Sequence, residues 1–266
     1  PAILEANNTV VEVIENEEDF TTDRLVAMDI LHQPERVIIE YNGMWLVSNF
    51  EKMQLPTGWG VEQQITCVDG STFQMYMANM KSIFMDMIKN TDMVIFNRCK
   101  KEDPLPTYRR GIKVANQRAE VIFEDEEGEL GDIFQDEMPF DMNAPVIEIL
   151  PEDYGIWFVD AMDHPENYEG KTVKFKARVM KPRGMGSKFF VPGRTAMTCC
   201  ADDTTFLGYV CKSAYAPKLT PGEWVEVTAK VGIEKRNEYQ GEEGIVLAAE
   251  HVEQCDPLED EMVYFN

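Results

Sequence analysis

The chain has 266 residues, with 25 Lys and Arg against 48 Asp and Glu, a formal charge of -23. That excess repels phosphate backbones and anionic lipid surfaces, so it argues against a general nucleic-acid or membrane-surface binder. With 44% apolar and 10% aromatic residues the chain still has enough to bury cores, which excludes an acidic disordered tail.

No apolar run approaches the length of a membrane span, and Pro1-Ala2-Ile3-Leu4-Glu5 has neither the basic nor the apolar part of an export signal, so no membrane insertion is expected. The cysteines, Cys67, Cys99, Cys199, Cys200, Cys211 and Cys255, are spread too thinly for a secreted disulfide scaffold. Reduced thiols and a cytoplasmic location follow as expectations.

In chain order, Val10-Val11-Glu12-Val13-Ile14 reads as a strand and Thr21 to His32 as a helix. Arg36-Val37-Ile38-Ile39 reads as a near-continuous apolar strand of the kind buried on both faces of a parallel sheet. Gln64 to Val68 and Met93 to Phe96 are two further strands. Between them, Phe73, Met77, Met80, Phe84, Met87 and Ile88 recur at helical spacing, so Ser71 to Asn90 is the strongest helix, with Asp69 or Ser71 as its N-cap. Methionines at this spacing serve packing better than metal binding. Strand and helix alternating with short connections imply an open α/β sheet.

From Glu124 to Leu130 the chain is Glu-Asp-Glu-Glu-Gly-Glu-Leu, and it then passes Pro139, Pro145 and Pro151 without periodicity. We divide it into an α/β domain at 1–140, a linker at 141–150 and a β domain at 151–266. In the last, Val173 to Val179 and Val225 to Val231 alternate apolar and polar residues strictly, and Lys188 to Met197, Thr204 to Cys211 and Gly244 to Ala249 add short strands. About five strands between Pro-Gly and Gly-rich turns suggest a small, partly closed barrel of the OB type. Its cations Lys174, Lys176, Arg178, Lys181 and Arg183 suit an anion or, in so acidic a chain, acidic neighbours.

Two strand ends carry chemistry. Glu40 follows Ile38-Ile39 with Gly43 three residues on, a placement that suits Mg²⁺-bound water and backbone approach to a terminal phosphate. Asn97 and Arg98 close the Ile95-Phe96 strand, where guanine-binding proteins handle the base. Pro34 to Met44, Thr66 to Asp69 with the long helix, and Asp92 to Arg98 together resemble the CobW/HypB/UreG family of P-loop GTPases, proteins of metal delivery. The resemblance covers residues 10–124. It implies a partial P-loop NTPase-type parallel sheet, GTP and Mg²⁺ as cofactors, Glu40 as the catalytic carboxylate, and Gly43, Asn97 and Arg98 as nucleotide-binding residues.

The departures are specific. No G-x-x-x-x-G-K-[S/T] occurs, so the backbone cradle for phosphates is missing. Gly170-Lys171-Thr172 imitates its end only, since Thr172 opens a strand. Lys100 stands where the family's base-reading Asp belongs, with Asp103 three residues on. The resemblance therefore implies either the carboxyl-terminal part of a longer GTPase or a degenerate relative, and GTP hydrolysis is expected only in a longer parent.

The second half resembles the soluble β domain found in partners of metal permeases, through Val191-Pro192-Gly193-Arg194, Met197-Thr198-Cys199-Cys200-Ala201-Asp202-Asp203 and Trp224-Val225. Adjacent cysteines on a strand point to opposite faces, so Cys199 and Cys200 do not readily chelate one ion together. One of them with Cys211, completed by Asp202, Asp203 or His164, can be written as a zinc site; buried structural thiols are the other reading. The expected function is metal delivery, with zinc as the metal and a metal-requiring client protein or a metal permease as partner. The alternative is a non-catalytic metal- or partner-binding protein with a degenerate GTPase half. Nucleic acid is not an expected partner.

Overall fold

The computed structural model describes residues 9–131, 138–197 and 204–263. Helix α1 (Thr22–His32) begins where the Thr21 hydroxyl accepts from the Arg24 N–H at 3.3 Å, and it stops where Gln33 turns to a left-handed φ of 44°. A short helix, α2 (Val47–Glu51), follows. Three parallel strands, β1 (Ile65–Asp69), β2 (Met93–Asn97) and β3 (Glu120–Phe123), lie side by side in chain order. They are joined by α3 (Phe73–Ile88), which leaves helical geometry at Met80, and by α4 (Leu105–Ala115). Mixed α/β organisation with a small parallel sheet is thus present.

One face of this sheet, with Val68, Val94, Phe96 and Phe123, packs against Phe73, Phe84, Ile88, Leu105, Tyr108 and Ile112 of the two helices. The other face leaves Cys67 exposed and Ile65 at 47% exposure. The expected strands Val10 to Ile14 and Arg36 to Ile39 do not form. Both stretches are irregular, and Ile38 is 85% exposed instead of buried in a sheet. An apolar run specifies a strand only where an edge is available to pair with, and among the described residues neither stretch finds one.

Residues 141–150 carry β4 (Ile147–Glu148) and the buried Ile147 and Ile149, which join the core of the second half. The helix α5 (Tyr154–Asp163), not anticipated from the sequence, precedes β5 (Thr172–Met180), β6 (Phe189–Met197), β7 (Thr204–Gly208), β8 (Val210–Lys212), β9 (Trp224–Lys235), β10 (Glu243–Gln254) and β11 (Met262–Val263). Strands β6, β8, β10, β9 and β5 pair in that order, and β5 pairs back onto β6, which closes a five-stranded barrel. Every pairing in the ring is antiparallel except β8 with β10. β7 folds back on β6, β11 runs parallel to β6, and β4 runs parallel to β5.

The strict alternation read in β5 and β9 is the inward-outward alternation of a barrel. Val173, Phe175, Ala177, Val179, Val225, Val227, Ala229 and Val231 all lie in the core, beneath Tyr154, Trp157 and Phe158 of α5. Across the two halves, Asp163 of α5 accepts from Arg109 at 2.9 Å and faces Lys113 at 3.3 Å, both cations on α4. Among the described residues no helix is long and apolar enough to cross a membrane.

Candidate nucleotide and metal sites

The carboxyl ends of β1 and β2 meet in register, Asp69 beside Asn97. The Gly70 N–H donates to the Asn97 carbonyl at 2.8 Å, and a methyl group on Gly70 would lie 2.7 Å from Cys99 Sγ, so the two loops touch at a position only glycine allows. Asp69 is held from three directions. Its Oδ1 accepts the Ser71 hydroxyl at 2.6 Å and the Ser71 N–H at 3.0 Å, and its Oδ2 accepts Arg98 Nη1 at 2.8 Å. These donors, Ser71 first, keep the Asp69 carboxyl below the ordinary carboxylate range.

Arg98 reaches Asp69 from a left-handed backbone with φ of 55°. Its guanidinium is thereby engaged by a carboxylate of the same chain. Asn97 is exposed at the end of its strand, as the sequence suggested. Asp103 turns inward to accept the Lys100 N–H at 2.7 Å, closing its own loop. Cys99 beneath is buried, and burial first, then the Asp103 charge, pushes its thiol up to about 11.

Glu40 and Gly43 belong to the irregular segment before α2 rather than to a strand end, which corrects the placement expected from the sequence. Glu40 is exposed; the Gly43 carbonyl accepts from Tyr76 OH of α3 at 3.2 Å. Asn97 and Arg98 therefore share the sheet's carboxyl end with Asp69, while Glu40 and Gly43 sit on a separate loop.

Cys199 and Cys200 lie outside the described residues, as do Asp202 and Asp203. Cys211, expected with them as a metal ligand, lies on β8 in the barrel core. It is 0% exposed, and desolvation pushes its thiol up to about 12. Among the described residues no group of three His, Cys, Asp or Glu is placed to hold a metal ion.

The most constrained polar group in the barrel belongs to the signature quoted above, where it was given no role. Arg194, in the Val-Pro-Gly-Arg stretch of β6, is 2% exposed and donates to the carbonyls of Pro151, Asp260 and Met262, the last two at 3.0 Å. Its guanidinium carbon lies 5.6 Å from the centre of the Tyr154 ring. Next to it, Gly193 and Gly208 face each other across β6 and β7, and a methyl on Gly193 would run into the Leu207 carbonyl and the Phe206 ring. The model of the DUF1980 C-terminal domain matches residues 129–265, just over half of the chain.

The chain belongs to the DUF1980 C-terminal domain family. Its matched region takes in the whole barrel, α5 and β4, and begins near the end of the acidic run. No curated protein matches the chain. Among solved structures, the mitochondrial single-stranded DNA binding protein Rim1 from S. cerevisiae aligns at 10% identity over 33% of this chain and 97% of its own, with a TM-score of 0.21. Aspartyl tRNA synthetase from Entamoeba histolytica aligns at 15% identity over 44% of this chain and 27% of its own, with a TM-score of 0.24. Likenesses of this size carry no functional argument for the DUF1980 C-terminal domain.

Proposed function

We infer that the chain is a binding protein of metal delivery, in which a CobW-like α/β half without a phosphate cradle is joined to an OB-type barrel. It docks a metal-requiring client protein or a metal permease rather than turning over nucleotide on its own. The observation that carries this reading is the closed carboxyl end of the parallel sheet. Asp69, Ser71 and Arg98 satisfy one another there, and Asp103 closes the loop where the resemblance places a base-reading carboxylate. Without G-x-x-x-x-G-K-[S/T] the chain also lacks the row of backbone N–H groups that holds phosphates. The OB assignment rests on the order of pairing in the barrel: first, second, third, fifth and fourth strands, with the one parallel contact between third and fifth.

The test is a titration of the chain with a fluorescent GTP analogue and Mg²⁺, with phosphate release measured in parallel and zinc content measured after purification. The expected outcome is hydrolysis at background and zinc that is lost in the Cys199→Ser/Cys200→Ser variant. Robust GTP hydrolysis by this chain would overturn the reading. A second reading, a Mg²⁺-GTP switch in a longer parent, is favoured by one observation: Asn97 stands exposed at the end of β2, where a base would be met. It predicts that a longer chain carrying a P-loop hydrolyses GTP and that Asn97→Ala weakens its affinity for guanine nucleotide.

A further inference from the structure

Charge is segregated along this chain. Residues 171–222 hold ten Lys and Arg against two Asp, whereas the remainder holds 15 Lys and Arg against 46 carboxylates. Two cations of this stretch are paired with carboxylates: Lys174 with Glu226 at 2.8 Å and Arg178 with Glu261 at 3.7 Å. Four exposed cations at one rim of the barrel are not. Arg183 and Lys188, between β5 and β6, and Lys212 and Lys218, at the end of β8 and beyond it, make no ion pair among the described residues.

These two stretches form one surface. Phe189 pairs with Lys212, the Ser213 N–H donates to the Lys188 carbonyl at 2.9 Å, and the Lys181 ammonium donates to the carbonyls of Ala216 and Leu219. The frame is therefore held by backbone pairing and a clamped lysine, with the four cations standing on it beside Tyr215, which is 44% exposed.

We propose that this rim is a docking surface for an acidic polypeptide segment. Three of the four cations are lysines, point charges that suit a run of carboxylates more than the bidentate geometry of a phosphate site. Tyr215 is a single exposed ring, which is too little for the successive stacking that single-stranded nucleic acid uses. It is also too little apolar surface to anchor the rim in a bilayer. At physiological ionic strength the Debye length is about 8 Å, so a local cationic rim acts even on a molecule of charge -23. The inference does not depend on the metal-delivery reading.

The test is fluorescence anisotropy with a labelled oligoglutamate peptide, alongside oligo-dT and phosphatidylserine-containing vesicles. The peptide is expected to bind at low salt and to weaken as salt rises. The Lys188→Glu/Lys212→Glu variant should lose about tenfold or more in affinity, with its melting temperature unchanged because both side chains are exposed. The charge-matched Arg24→Glu/Lys101→Glu variant, altered elsewhere, should bind as the parent does. Absence of peptide binding overturns the proposal, as does equal weakening in both variants. Tighter binding of oligo-dT or of vesicles than of the peptide overturns it in favour of that other occupant.

Discussion

Replacing Arg194 by Met removes a buried guanidinium and keeps most of the side-chain volume. Three backbone carbonyls, of Pro151, Asp260 and Met262, lose their donor, and two of them tie the carboxyl-terminal β11 segment to β6. Hydrogen bonds from a charged donor are worth about 1.5–3 kcal/mol each in mutational series, so the three set a gross loss of roughly 5–9 kcal/mol. Against this, burying the cation costs several kcal/mol, a cost visible in the desolvation that lowers the Arg194 pKa. No carboxylate side chain hydrogen-bonds it among the described residues, and Nε has no partner, so the compensation is incomplete. The balance is a destabilisation of about 3 kcal/mol.

Urea unfolding followed by near-ultraviolet circular dichroism measures it, and hydrogen exchange at the Met262 and Val263 amides reports whether β11 detaches first. The expected result is a lower midpoint at an unchanged slope, with those amides losing protection in the native state. A variant as stable as the parent, with β11 still protected, would refute the reasoning. It would mean that the hydrogen bonds of Arg194 only offset the cost of burying its charge.

Gly193→Ala forces a methyl against the Leu207 carbonyl and the Phe206 ring, a backbone contact that cannot swing away; a loss of about 3 kcal/mol is expected, read as a lower urea midpoint. Asp163→Ala leaves Lys113, whose side chain is 12% exposed, without its carboxylate and cuts the link between α4 and α5. A cost of about 2–3 kcal/mol and separation of the calorimetric transition into two are expected. Asp69 has a lowered folded-state pKa, so its contribution is complete above the unfolded value of about 4 and disappears as pH falls through the folded value. A carboxyl carbon NMR titration should show both Ser71→Ala and Arg98→Ala raising the Asp69 midpoint, because each removes a group that favours the carboxylate.

The elements that could be read from the chain were those whose local signal and tertiary setting agree. α3 has its helical methionines and phenylalanines, and β5 and β9 their strict alternation, and each of these appears where periodicity placed it. Val10 to Ile14 and Val37 to Ile39 carry an equally clear apolar signal and form no strand, because pairing needs a neighbouring edge that composition does not reveal. α5 escaped for the opposite reason: Trp157, Phe158 and Val159 in a row are apolar nearly all round, so the buried cap of the barrel shows no helical stripe.

The same division runs through the candidate sites. Asn97 at a strand end was visible because position along an apolar strand is a one-dimensional property. The capture of Arg98 by Asp69, 29 residues away, and the burial of Cys211 inside the barrel were not, because both depend on which strands become neighbours. Sequence alone determined the acidic balance, the missing phosphate cradle, and the passage from helix-rich to strand-rich chain, all of which are sums or spacings along one dimension. Only tertiary structure decided that β5 returns to β6 to close a ring, that Arg194 is sealed beneath β11, and that four cations share one rim without an ion pair among the described residues. Those outcomes depend on closure and on distances between residues far apart in the chain.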